Sequence, residues 1–87
     1  MPTKEQLQAA EIPQELIEQQ KLFARGLETL TPTEKAIYDL YTEGKGTKEV
    51  LAALNIKENT LKFHNKNLYS KLGVSSRKQL LQIAKWL

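Results

Sequence analysis

Asn59, Lys62, Phe63 and Lys66 lie close together in the chain, and each brings a group that can meet the edge of a nucleic-acid base. A lysine ammonium donates to guanine O6 and N7 or to a phosphate, an asparagine amide pairs with adenine, and a phenylalanine ring contacts the thymine methyl. On a helix advancing by about 100° per residue, with Leu61 at zero, these four and Ser70 fall between about 100° and 200°. Asn65, Leu68 and Leu72 fall within about 40° of Leu61. Such a helix buries one stripe and turns two lysines, an amide and an aromatic ring outward. A stripe of lysines is most often a solvated face and nothing more. Phe63 argues against that here, because a phenylalanine at the centre of a wet face calls for a surface to cover it. The composition suits the major groove of duplex DNA.

No other chemistry assembles from the remaining residues. The chain has no cysteine, which removes disulfides, thiolate metal sites and cysteine nucleophiles together. Its single histidine, His64, cannot build a zinc site alone. On the helical wheel His64 borders the core beside Thr60 and Lys71, where a structural or phosphate-side hydrogen bond is its expected use. Gly44-Lys45-Gly46-Thr47 is a helix-to-helix turn and not a phosphate loop. That motif needs an earlier glycine where Asp39 stands, and Ser or Thr directly after the lysine where Gly46 stands. Glu34 and Glu49 sit near helix starts, favoured by the positive dipole end and placed to pair with Lys or Arg. With no acid–base couple, no enzyme is expected, and no metal or cofactor. A chain of 87 residues and 9.9 kDa is enough for one small domain, or a small domain and a linker, but not for a large enclosed pocket. No apolar run approaches the roughly 18–20 residues that span a bilayer, and the start shows no basic-then-apolar export signal. A reduced, cytoplasmic setting without membrane contact is expected.

Charge is divided unevenly along the chain. Residues 1–30 carry Lys4, Lys21 and Arg25 against five glutamates, whereas residues 31–87 hold ten positive and five negative side chains. From Lys57 onward seven positives face the single acid Glu58. A basic block of this kind on a folded segment points to a polyanion, of which nucleic acid is the commonest.

The elements that must position these residues are all helical. Ile12, Leu16, Phe23, Leu27 and Leu30 fall near one face of a helix starting at Pro13, an amphipathic connector expected to pack on the basic domain or on its copy in a dimer. Thr31-Pro32-Thr33-Glu34 combines a capping box with proline at the first helical position, opening a helix that runs to Gly44. Ile37, Leu40 and Tyr41 are its apolar positions. A short helix over residues 47–54 turns Val50, Leu51 and Leu54 inward, and Asn55-Ile56-Lys57 is a tight turn with one apolar anchor. The reading helix spans residues 58–72 and stops at Gly73, a C-terminal cap. Ser76-Arg77-Lys78-Gln79 is a second capping box, opening a last helix to the chain end. That helix presents Leu80, Ile83, Ala84 and Leu87 on one side, leaving Leu81 and Trp86 off that stripe for self-association, favoured over membrane or heterologous binding, or, for Trp86, for capping the core. The fold class is all-α: a tri-helical helix-turn-helix core plus a fourth, dimerisation helix, preceded by an N-terminal amphipathic linker helix.

Leu30-Thr31-Pro32-Thr33-Glu34, Gly44, Lys48-Glu49-Val50, Leu54, Ile56, Thr60-Leu61-Lys62-Phe63-His64, Leu68-Tyr69-Ser70-Lys71-Leu72-Gly73-Val74 and Arg77 together resemble the LuxR-type (GerE-like) helix-turn-helix domain of bacterial transcription regulators. The resemblance divides the chain into a linker over residues 1–29 and a DNA-binding domain over residues 30–87. It implies sequence-specific binding of double-stranded DNA in transcription regulation, with the third helix in the major groove. It also implies a homodimer on a pseudo-palindromic site, RNA polymerase as a further partner, and a place at the bacterial nucleoid. Base reading falls on Asn59, Lys62, Phe63 and Lys66, and phosphate contact on Thr47, Lys48 and Thr60; Lys57, outside the family pattern, is added to the phosphate contacts for its charge. Leu81, Lys85 and Trp86 fall to the dimer seam. The alternative is a protein-interaction or sigma-region-4-like module that docks transcription machinery on the same scaffold.

Three positions depart from the family pattern. Lys57 stands where the family has a serine N-cap, and lysine cannot accept the exposed backbone N–H groups, at a cost of roughly 1 kcal/mol unless Asn59 takes the role. Lys57 is read as exchanging that stability for attraction to phosphate. Thr33 stands where Arg is usual, removing an ion pair. Leu51 replaces a usual alanine where two helices approach, opening their crossing slightly.

Overall fold

Helix ends fall where a side chain or a left-handed residue takes over from the backbone ladder. The computed structural model describes residues 14–87, and among these the elements are five helices: α1 Gln14–Leu27, α2 Pro32–Thr42, α3 Thr47–Leu54, α4 Glu58–Leu72 and α5 Arg77–Ala84. Ile12 and Pro13, the expected start of α1, lie outside the described residues. Thr31 caps α2 with both bonds of the box. Its hydroxyl accepts from the Glu34 amide at 3.2 Å, and the Glu34 carboxylate accepts from the Thr31 amide at 2.9 Å. Gly44, at φ +90°, turns the chain after α2. Asn55 closes α3 in the left-handed region at φ 52°, a conformation that asparagine tolerates better than most residues. Gly73, at φ 70°, ends α4. Its amide bonds Ser70 O at 3.3 Å and the next amide bonds Tyr69 O at 2.9 Å, the paired closure that glycine permits.

Two expectations at α5 need correction. Ser76 does cap the helix, accepting from the Gln79 amide at 3.1 Å, but the second half of the box does not close. The Gln79 side-chain oxygen instead accepts from the amide of Ser75 at 2.8 Å and from its hydroxyl at 3.1 Å. Both donors of Ser75, its amide and its hydroxyl, converge on that one oxygen. Nor does α5 reach the chain end. It stops at Ala84, and Trp86 and Leu87 tighten into i→i+3 bonds to Ile83 and Ala84. Leu87 is therefore 57% exposed and does not extend the inner stripe of Leu80 and Ile83.

The core draws on every helix: Phe23 of α1, Ile37 and Tyr41 of α2, Val50 of α3, Leu61, Leu68 and Leu72 of α4, Leu80 and Ile83 of α5. Full burial of each large apolar side chain contributes on the order of 1.5–3 kcal/mol. Of the two placements open to α1, the structure shows packing on the domain itself. Phe23 is completely buried, its ring tilted against Tyr38 at 6.1 Å between centroids. Gly26 is buried against the backbone of α4, where an added Cβ would fall on the Lys71 carbonyl oxygen. Only the second half of α1 is seated this way, because Leu16 remains 44% exposed. No helix among the described residues is long and apolar enough to cross a membrane.

Candidate nucleic-acid interface

The buried face of α4 dictates which side chains it turns outward. With Leu61, Leu68 and Leu72 in the core, Asn59, Lys62, Phe63 and Lys66 are all exposed, as the wheel requires. Phe63 is the decisive residue, 63% exposed in the middle of the stripe. Its one aromatic neighbour is His64, whose half-buried ring meets it edge-on at 5.6 Å between centroids. The ring is held but not covered.

The residues expected to meet phosphate stand at two helix starts. Thr47 and Lys48 open α3 behind Gly46, and Lys57 and Thr60 flank the opening of α4; all four are exposed. Neither start has a side-chain cap hydrogen bond, so amide donors and the positive ends of two helix dipoles stay available to an anion. Lys57 is the N-cap of α4 without capping it, as its chemistry requires. Lys57→Ser is expected to raise stability by roughly 1 kcal/mol, read as a shift of the urea midpoint with an unchanged slope.

Beneath α4 two polar ties run to α2. Tyr41, 2% exposed, donates its hydroxyl to the Asn65 side-chain oxygen at 2.8 Å. At the far end Lys71 Nζ lies 2.6 Å from the Glu34 carboxylate and also donates to the Thr29 carbonyl at 3.3 Å. Burial pushes the Glu34 carboxyl up, but the Lys71 hydrogen bond, the Thr31 amide and the Lys71 charge together outweigh it and hold the group below its ordinary range. Glu49, in the first turn of α3, pairs only loosely with Lys45 at 3.8 Å, both side chains about half exposed. Burial, with the neighbouring Tyr41 adding to it, pushes the Tyr69 phenol up to about 12. Arg77 lies over the Tyr41 ring at 5.6 Å. Helical periodicity places Asn65 on the buried stripe but does not say what satisfies its amide. An amide on one apolar stripe and a phenol on the facing one are the signal that the sequence holds for this pair.

Residues 28–84 match the family of bacterial regulatory proteins called luxR. The chain belongs to the LuxR family. Over 61 residues, 70% of this chain, it is 39% identical to a putative HTH-type transcriptional regulator of Mycobacterium bovis, and that stretch is 7% of the mycobacterial protein. It is 40% identical over 50 residues to the spore germination protein GerE of Bacillus subtilis, covering 58% of this chain and 68% of GerE. A third relative, the probable transcriptional regulatory protein SgaR of Hyphomicrobium methylovorum, is 43% identical over 51 residues, which are 59% of this chain and 24% of SgaR. The chain thus spans only a small part of the length of the mycobacterial relative. No solved structure matches it significantly.

In this LuxR-type domain the matched segment begins just after α1, so Phe23 and Gly26 lie outside the family pattern although they pack into its core. The residues expected at the dimer seam are all exposed but divide between two sides of the C-terminal segment: Leu81 lines a groove toward Tyr38 and Thr42 of α2, Trp86 lines one toward α1, and Lys85 borders both. Leu81 is 36% and Trp86 70% exposed, so Trp86 does not cap the core. Lys85 and Trp86 also line a groove of about 560 Å³ between α5 and α1, with Leu16, Gln19, Gln79 and Ile83.

Proposed function

We propose that the chain binds double-stranded DNA sequence-specifically to regulate transcription, as a homodimer on a pseudo-palindromic site, with α4 lying in the major groove. The observation that carries this reading is Phe63 held in water between Lys62, Lys66 and Asn59, on a helix whose opposite face is fully engaged in the core. Lys48, Lys57, Thr47, Thr60 and the two helix starts grip phosphates and supply affinity that falls steeply with salt. Asn59, Lys62, Phe63 and Lys66 read base edges, each good pair discriminating by about 1–3 kcal/mol. Leu81, Lys85 and Trp86 join two copies, setting half-sites about 34 Å apart. The working place of such a domain is the cytoplasm, at the nucleoid.

Selection of bound sequences from a random DNA pool at fixed salt tests this directly. A recurring two-fold motif is the expected product; recovery of unselected sequence alone would favour the protein-docking alternative. Lys66→Ala should weaken binding to the selected site by about five- to a hundredfold and relax preference at one position. Lys48→Ala should weaken selected and random DNA alike and reduce the salt slope by about one. Equal losses on both DNAs for Lys66→Ala would contradict its assignment to a base. Lys57→Ser, the stabilised variant, should bind every sequence less tightly; unchanged affinity would remove Lys57 from the phosphate contacts.

A further inference from the structure

We infer that the hydrogen bond from Tyr41 to Asn65 is a positioning device that sets the rotation of α4 about its own axis, and through it the base preference of the reading stripe. The inference rests on the reading of α4 as the base-contacting helix. Leu61, Leu68 and Leu72 hold α4 to the core through apolar contact, which is strong but non-directional. A helix seated only by such contact keeps some freedom to roll. Rolling by about 20° sweeps a side-chain tip at a radius of about 6 Å through about 2 Å, which exceeds the tolerance of a base-edge hydrogen bond. A directional bond removes that freedom.

The structure places such a bond at mid-helix. The Tyr41 hydroxyl reaches Asn65 at 2.8 Å from a ring that is itself buried in the core and capped by Arg77 at 5.6 Å. The donor therefore cannot follow the helix if it rolls. Asn65, on the inner stripe and half-buried, stands directly before Lys66 and one turn after Lys62. The Glu34–Lys71 pair ties the same two helices at the far end of α4, at 2.6 Å. Two directional ties from α2, at the middle and at the end, define the roll of α4 where apolar packing alone would not. Buried polar pairs that trade stability for a unique arrangement have this use in helix pairing.

Two variants separate positioning from simple support. Tyr41→Phe keeps the ring and removes only the hydroxyl. Tyr41→Phe combined with Asn65→Leu refills the site with apolar contact and is expected to recover the melting temperature, but not the direction. Full-length protein is measured for thermal unfolding and for affinity to the site selected by wild type and to random duplex, at one salt concentration and well below each melting point. The expected result is a fall of about five- to tenfold in the ratio of the two affinities for both variants, with affinity for random duplex unchanged. A ratio within twofold of wild type in Tyr41→Phe, or recovery of the ratio along with the melting temperature in the double variant, would overturn the inference. If Tyr41→Phe alone does not fold, the ratio in the double variant decides by itself. A wild-type protein that selects no sequence removes the DNA reading itself, and this inference with it; a wild type that selects while neither variant loses selectivity removes only the inference.

Discussion

Phe23→Ala is expected to lose about 3–5 kcal/mol of folding stability, the usual cost of emptying a fully buried aromatic site. Small domains are stable by about 5–15 kcal/mol, so the variant should lose a large share of its stability and its urea midpoint should fall sharply. The size of the effect follows from position. Phe23 is completely buried where α1 packs on α4, with its ring against Tyr38 of α2. Gly26→Ala strikes the same seam by overpacking, because its new methyl would fall on the Lys71 carbonyl and α1 would have to lift from the end of α4. A midpoint for Phe23→Ala within experimental error of wild type would mean that α1 is a detachable linker. A large loss makes it part of the domain that carries the reading helix.

Glu34→Ala should be the second most damaging of these changes, at about 3 kcal/mol near neutral pH. About 1 kcal/mol belongs to the capping bond returned to Thr31. The rest comes from stranding Lys71, and it lies below the 3–5 kcal/mol of a fully buried pair because the Lys71 side chain is 33% exposed and solvent screens its charge. The pH dependence has a definite sign. The folded carboxyl titrates below its ordinary value of 4.5, so its contribution is complete above that value and is lost as pH falls through the lower, folded value. Wild type and variant should therefore differ most at neutral pH and converge in acid. Urea titrations at pH 7 and at about pH 3 measure both gaps, and a gap that widens in acid would show the carboxyl to be held above its ordinary value instead.

Much of this architecture is legible in the sequence. The bounds of α3 and α4 are set by Gly46, Asn55 and Gly73, residues whose backbone behaviour is local and does not wait on tertiary contacts. The outward stripe of α4 is equally accessible, because three leucines at helical spacing can face the core in only one way. The Thr31–Glu34 box forms as its residues predict, whereas the Ser76–Gln79 box does not. A long amide side chain chooses among donors within reach, and both donors of Ser75 converge on it.

What the order of residues determined by itself is thus the set of helices, the buried faces of α2, α3 and α4, and the stripe of Asn59, Lys62, Phe63 and Lys66, which follow from short-range periodicity and local capping, together with the family, which follows from the resemblance of the matched residues. Only the folded arrangement decided that α1 belongs to the core, that Lys71 is the partner of Glu34, and that the Tyr41 hydroxyl donates to the Asn65 side-chain oxygen. Those partners are separated by tens of residues along the chain. A choice among many donors and acceptors at such separation is made by the packing of apolar faces in three dimensions, which brings two side chains together without leaving a local mark on either segment.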